Sequence, residues 1–458
     1  MDTPPLFAER MRRLLGPEAD AFLDALDRPA YTGLRVNTLK LTPGQLRELV
    51  PWRLDPVPWC ADGFIVADDV QPGRHPYHAA GLYYLQEPSA MAPAQALAPR
   101  PGELVLDLSA APGGKATQIA ALMGDSGLLV ANEVEASRRP ALAANLERWG
   151  ARCAVITGDW PQRLADHWGD VFDRVLVDAP CSGEGMFRKS EAALAQWSEK
   201  LIQGCALRQR NLLDAAAALV RPGGHLAYST CTFAPEEDED IIARFLDAHP
   251  DFALEPIDLS GAAPGRPDWS TAPARPELVG AARFWPHLIP GEGHFVALLR
   301  RVSGTPGSAR PISLAAAPRA AVRLWRDFAA RLAADPAADR ILSLQGTRLY
   351  AVSNVLPLDG VKVTRPGLWL GDIRGDRFEP SHSLALALRT AEIRGASLQV
   401  LDLTPNDTRL ARYLQGHPLE EAGEAGWILI AVSGFPIGWG RRAQGIIKNA
   451  YPKGLRWP

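Results

Sequence analysis

From residue 102 onward the chain alternates short apolar runs with longer stretches of helical spacing. "GELVLDLSAAPGGK" is an apolar strand pattern ending in a loop of small residues, and "KATQIAALM" continues it as a helix. "GLLVANEVE" predicts a second strand and "ASRRPALAANLERWG" the helix after it. "CAVITGD" and "FDRVLVDAP" predict two more strands, and a helical pattern from about 193 to 220 stops at "RPGG". "HLAYSTC" is the fifth strand pattern. A helix is expected to open at Pro235, a residue suited to the first helical position, with Ile241, Ile242, Phe245 and Leu246 on its buried face. "HFVALLRR" (294–301) predicts a closing strand. Strands alternating with helices at this spacing imply a parallel sheet covered on both faces, with ligands at the carboxyl ends of its strands.

The flanks read differently. Residues 1 to about 75 carry two short helical patterns and then an alternating run, "GLRVNTLK" (33–40). "YYLQEPSAMAPAQAL" looks like a lead-in helix, and "SGTPGSARPISLAAAP" (303–318) has linker composition ahead of an α+β region. At 458 residues, 47% hydrophobic and 22% charged, the chain fits a soluble protein of two or three domains. No apolar run approaches the roughly 20 residues that span a bilayer, and the first residues lack a signal-peptide core, so a cytoplasmic protein with no membrane partner is expected. Cys60, Cys153, Cys181, Cys205 and Cys231 include no CxxC pair, so reduced thiols are expected, with neither a disulfide framework nor a metal site. The net charge of −3 argues against a uniformly basic nucleic-acid binder. After Glu424, however, Arg441, Arg442, Lys448, Lys453 and Arg456 interleave with Trp427, Trp439, Tyr451 and Trp457 and no acid appears. That mixture suits phosphate contacts and base stacking, and equally a solvated basic terminus.

The residues that bear chemistry fall at strand ends. "DLSAAPGGK" (107–115) lets backbone approach a ligand closely, yet it is not a P-loop, whose first glycine would stand at Ser109. Glu133 ends the second strand, where a carboxylate can accept bonds from both hydroxyls of a ribose, and Asp159 ends the third, within reach of an adenine amino group. Both acids also fit loop caps; the order of loop, Glu133 and Asp159 favours an adenosine-type ligand. Asp178 and Cys181 follow the fourth strand in "DAPC", and Cys231 follows the fifth in "STCTF". Neighbouring strands lie about 5 Å apart, so both thiols can face one ligand. Carbon 5 of cytosine becomes nucleophilic once a thiolate adds to carbon 6, and a carboxyl group at ring nitrogen 3 stabilises the charge that develops. A helix starting just after Cys231 is expected to assist its ionisation, partly offset by Glu236 and Glu237. "EEDED" reads as a solvated helix start, and His294 in "GEGHF" as a hydrogen-bonded structural residue.

Together "DLSAAPGGK", "NEVE", "DAPCSGEG" and "STCTFAPEE" resemble the RNA cytosine-5 methyltransferases that use S-adenosylmethionine. "GLRVNTLK", "YYLQEPSA", "GEGHF" and "KNAYPKGLRWP" are similar to the branch of that family acting on the bacterial small ribosomal subunit, so the likeness covers nearly the whole chain. The resemblance implies a Rossmann-like α/β methyltransferase core with a small N-terminal α+β domain and a C-terminal α+β PUA-like region. The boundaries expected are 1–90, 91–302, a linker at 303–319, then 320–390 and 391–458. It implies that Ser109, Ala110, Ala111, Pro112, Gly113, Gly114 and Lys115, with Glu133, Asp159 and Asp178, hold S-adenosylmethionine. Cys231 would be the nucleophile, Asp178 would contact the base, and Cys181 would assist product release. The family often has cysteine at position 109 and threonine at position 116, where this chain has Ser109 and Ala116. DNA cytosine-5 methyltransferases use the Pro-Cys cysteine, here Cys181, as nucleophile; Cys231 favours the RNA type. The implied partner is 16S ribosomal RNA in the small subunit, met by a single copy of the chain. Transfer RNA or another RNA as substrate, or an RNA-binding assembly role, are the alternatives. An unstacked cytosine is required, and the flanking regions are expected to select the RNA.

Overall fold

A computed structural model describes residues 3–271, 275–304, 316–353 and 356–458. Five strands form the centre: β1 (Leu104–Asp107), β2 (Leu128–Asn132), β3 (Ala154–Thr157), β4 (Phe172–Asp178) and β5 (Val220–Thr230). All are parallel, ordered β5-β4-β1-β2-β3 across the sheet. Both faces are covered, which is why these segments read as unbroken apolar runs. Leu106, Val130, Val155, Val175 and Val177 enter one core, and their neighbours Val105, Leu129, Ala131, Ile156 and Leu176 enter the other. That period of two follows from the pleat. Chain order reverses between β1 and β4, so a crevice opens above their carboxyl ends.

Several local expectations are corrected. The strand β6 (His294–Arg301) runs antiparallel to β5 but does not close the sheet, because Ala282–Phe284 and Phe252–Glu255 pair with it. "RPGG" lies inside β5, at an irregular register against β4, instead of ending a helix. The helical pattern before it divides into Glu191–Gln196 and Glu199–Ala217, the second capped by Ser198. "YYL" is a strand (Tyr83–Leu85) paired with Thr32–Val36, and helix is confined to the residues after it. The helix expected at Pro235 begins at Glu239, so Cys231 does not sit at a helix N-terminus. "EEDED" is not solvated: Glu237, Asp238, Glu239 and Asp240 are buried. Arg283, brought from another strand, pairs with both Asp238 and Glu239 and makes that burial tolerable.

The flanks are built into the molecule. Tyr350, Val352, Leu356 and Leu358 complete the core on one face of the central sheet. Val363–Arg365 pairs with β3 and covers its edge, while Trp168 Nε1 donates to Pro357 O at 2.8 Å. A second core joins the ends of the chain: Leu34, Phe64 and Tyr83 share it with Leu401, Tyr413, Ile430 and Tyr451. Of the expected linker, residues 305–315 lie outside the described residues, and a helix begins at Arg319. Among the described residues no helix is long and apolar enough to cross a membrane.

Candidate active site

The crevice above β1 and β4 holds a cavity of about 930 Å³ whose wall includes Ser109, Ala111, Glu133, Asp178, Cys181 and Cys231. Lys115, Ala110, Pro112 and Gly114 line an adjoining pocket of about 210 Å³ that shares Asp178. The loop between β1 and its helix is fastened from several sides. Ala110 N donates to Asn132 O at 2.9 Å, Arg138 to Ala111 O at 2.6 Å, and Asn145 to Pro112 O at 2.7 Å. Gly113 has φ +114°, and a Cβ there would stand 3.3 Å from both Asn145 and Leu142, so only glycine suits the turn.

Glu133 is buried, with Oε1 accepting from Glu135 N at 2.9 Å. Its Oε2 faces Arg138 at 3.2 Å yet accepts no hydrogen bond. Asp159 stands at the end of β3 as expected but is not on the cavity wall. Its Oδ2 accepts from Lys362 N at 2.5 Å, because the strand docked on β3 passes beside it. Trp160, Pro161 and Gln162 form the wall there instead.

Asp178 receives Lys115 Nζ at 2.7 Å and the Ser229 hydroxyl at 2.8 Å. Burial alone would raise its pKa; Lys115 and the nearby His294 outweigh burial and hold the carboxyl well below its ordinary range. The same contact raises Lys115 despite its burial. Asp107, missed in the sequence, is pushed up to about 7 by burial and by the neighbouring Asp178.

The two thiols meet. Cys181 Sγ and Cys231 Sγ are 3.4 Å apart, and both are half-buried, unlike Cys60, Cys153 and Cys205. The hydrogen bond with Cys231, then burial, pushes Cys181 well above the ordinary thiol range, so Cys181 keeps its proton. The loops that carry them are strapped together reciprocally. Glu184, from the Cys181 loop, accepts the Thr232 hydroxyl at 2.9 Å and Phe233 N at 2.8 Å. Glu237, beyond the Cys231 loop, accepts Ser182 N at 2.9 Å and the Ser182 hydroxyl. Gly185 N donates to Cys231 O at 2.7 Å, and a Cβ at position 185 would stand 2.9 Å from that oxygen. Sequence reading missed Glu184 and Glu237 as supports, because their partners lie about fifty residues away. It missed Arg35 too, which reaches from the N-terminal sheet to Gly114 O at 3.0 Å and Thr117 Oγ1 at 2.7 Å.

Comparison with known proteins fixes the family. The model of "16S rRNA methyltransferase RsmB/F" matches residues 94–300, and that of the RsmF N-terminal domain matches 3–88. Models of the RsmF first C-terminal domain and PUA domain match 327–388 and 400–457. "Ribosomal RNA small subunit methyltransferase F" of Erwinia tasmaniensis is 35% identical over 99% of this chain and 96% of its own length. The Shewanella loihica protein of the same name is 33% identical over 95% and 91%. The chain belongs to the ribosomal RNA small subunit methyltransferase F family. Among solved structures, a methyltransferase homolog from Pyrococcus horikoshii is 32% identical, with TM-score 0.60 over 66% of this chain and 96% of that one. NSun6 from the same organism, solved with SFG, shares the fold at 22% identity and TM-score 0.56, over 66% and 99%.

A methyltransferase of this family must hold a methyl donor, and the residues here fit one with an adenosine group. The Oε2 of Glu133, which faces Arg138 but accepts no hydrogen bond, is a buried acceptor with room for a donor such as a ribose hydroxyl. The small side chains at Ser109, Ala110 and Ala111 leave backbone open to the ligand.

Proposed function

We propose that this methyltransferase modifies carbon 5 of a cytosine in 16S ribosomal RNA through a transient bond between Cys231 and carbon 6. S-adenosylmethionine is the proposed donor; when bound, it supplies an electrophilic methyl group. Ser109 to Lys115 and Glu133 are assigned to hold it, with Asp178 at the boundary between donor and base. Asp159 is assigned to the strand beside it, which already takes its carboxylate.

The observation that carries the reading is the pair of sulfurs 3.4 Å apart beside an ionised carboxylate, on the wall of a cavity shared with the loop of small residues. Cys231 adds to the ring, which breaks its aromaticity and makes carbon 5 enamine-like. Cys181, whose sulfur is 3.4 Å from that of Cys231, is assigned to assist release of the methylated product. The ammonium of Lys115 keeps Asp178 charged and oriented. The reciprocal straps from Glu184 and Glu237 hold both sulfurs at one spot without a helix end.

The test offers labelled S-adenosylmethionine to 16S RNA, 30S subunits and transfer RNA in parallel. Label in 16S RNA or 30S subunits is expected; label in transfer RNA alone overturns the substrate. Cys231→Ala is expected to abolish turnover and any covalent adduct, whereas Cys181→Ala accumulates an adduct visible as a slow band in denaturing gels. Exchanged phenotypes would exchange the roles.

A further inference from the structure

We propose that Cys181 and Cys231 are a peroxide-oxidised pair, closing to a reversible disulfide that switches methylation off. The loss of activity rests on the covalent reading above; the bond itself rests on separate geometry. The two sulfurs are 3.4 Å apart, against roughly 2.05 Å in a disulfide, so closure moves each by about 0.7 Å, the scale of a side-chain rotation. The strands that carry them are neighbours, with Asp178 opposite Ser229, and Ala179 N still donates to Ser229 O at 2.8 Å just before the thiols. Neighbouring strands lie about 4.8 Å apart, inside the Cα separation of about 4.4–6.8 Å that disulfides take. Both thiols line the cavity of about 930 Å³ and are half-buried, whereas Cys60, Cys153 and Cys205 are buried. A hydroperoxide small enough to enter the crevice therefore meets this pair first. Two accessible thiols in contact are the arrangement in which oxidation of one is captured by the other.

The steps balance. The covalent reading requires Cys231 as a thiolate, which is the form that hydroperoxides oxidise. Its sulfur takes the terminal oxygen, the O–O bond breaks, and the departing alkoxide or hydroxide takes up the proton that Cys231 had given to solvent. Cys231 is left as a sulfenic acid. Cys181 has kept its proton, and the straps from Glu184 and Glu237 hold the two loops so that its sulfur faces the new sulfenic acid. The S–S bond forms as the S–O bond breaks, and the hydroxide that leaves becomes water with the Cys181 proton. In sum, two thiols and one hydroperoxide give a disulfide, water and the alcohol or water of the leaving group. The two electrons that the sulfurs lose are those that the O–O bond gains. Bonded to Cys181, the sulfur of Cys231 has no electron pair to add to carbon 6, so methylation stops until a dithiol reductant opens the bond. The disulfide also spares Cys231 the further oxidation to sulfinic acid, which thiols do not reverse.

The test exposes the full-length protein, free of RNA, to hydrogen peroxide in modest excess and then blocks the remaining thiols with N-ethylmaleimide. Digestion and mass spectrometry are expected to find the Cys181 and Cys231 peptides joined, two hydrogens lighter than their sum. Cys60, Cys153 and Cys205 should still be alkylated once the chain is unfolded. Single-turnover methylation of the RNA that the reduced protein labels should fall in proportion to the joined fraction, by about tenfold when about nine-tenths is joined. Dithiothreitol should restore it to within about twofold. In Cys181→Ser the joined peptide should be absent and Cys231 should carry oxygen, as sulfenic acid trapped by dimedone or as sulfinic acid. Both thiols left free, a disulfide between two copies, or sulfinic acid at Cys231 beside a free Cys181 in the wild type overturns the switch and leaves the covalent reading standing. A Cys181–Cys231 bond that leaves methylation undiminished overturns both, because no free sulfur remains to attack the ring.

Discussion

Replacing Glu184 with glutamine removes one acceptor from a buried group that receives three hydrogen bonds. Oε1 takes Trp197 Nε1 at 2.9 Å, while Oε2 takes the Thr232 hydroxyl at 2.9 Å and Phe233 N at 2.8 Å. A glutamine offers one acceptor oxygen and an NH₂, so one side of the cradle sets donor against donor. With the oxygen turned toward the Cys231 loop, Trp197 loses its partner at about 1–3 kcal/mol. The two remaining bonds change from charge-assisted to neutral, each weaker by about 1 kcal/mol. The sum is about 3–5 kcal/mol in the better of the two orientations. Arg10 and Arg283 also lose a nearby negative charge. The variant should melt several degrees lower. Because Thr232 and Phe233 directly follow Cys231, its sulfur should drift from the ring, and a shift near 1 Å lowers methyl transfer by about 10²-fold. Calorimetry and single-turnover methylation measure the two effects. A variant that melts within about 1 °C of wild type and methylates within about twofold would refute the strap.

Other outcomes follow from the same geometry. Lys115→Met leaves Asp178 without its principal cation. The wild-type carboxyl is depressed, so its contribution to stability is present above the ordinary carboxylate pKa and is lost progressively as pH falls below it. In the variant the depression shrinks, so the melting temperature is lower at neutral pH and should fall less steeply on acidification than in wild type. Glu237 is pushed up to about 7 by burial, with Glu184 adding to it against the Ser182 bonds. A raised acid contributes stability below its unfolded pKa and loses it as pH rises to about 7, so Glu237→Gln should flatten the pH dependence of melting between roughly 4 and 7. Asp159→Ala orphans Lys362 N, and faster amide exchange at Lys362 and Val363 is expected; unchanged protection would mean the carboxylate does not hold that strand.

What was legible in the sequence was what local pattern encodes. The five central strands are buried on both faces, so their apolar runs and the small-residue loop after β1 identify themselves. The two thiols were placed correctly at neighbouring strand ends because β4 and β5 are adjacent. What stayed hidden depends on partners distant in the chain. "EEDED" looks like a solvated helix start until Arg283 arrives from another strand. Asp159 looks available until a segment two hundred residues later docks beside it.

The core shared by the first and last segments has a consequence for synthesis. Leu34, Phe64 and Tyr83 cannot be fully covered until Leu401, Tyr413, Ile430 and Tyr451 have left the ribosome. The amino-terminal sheet therefore waits, partly bare, while more than three hundred residues are translated. A nascent chain stalled before residue 400 should expose this apolar surface to chaperones, and release of the final segment should quench it.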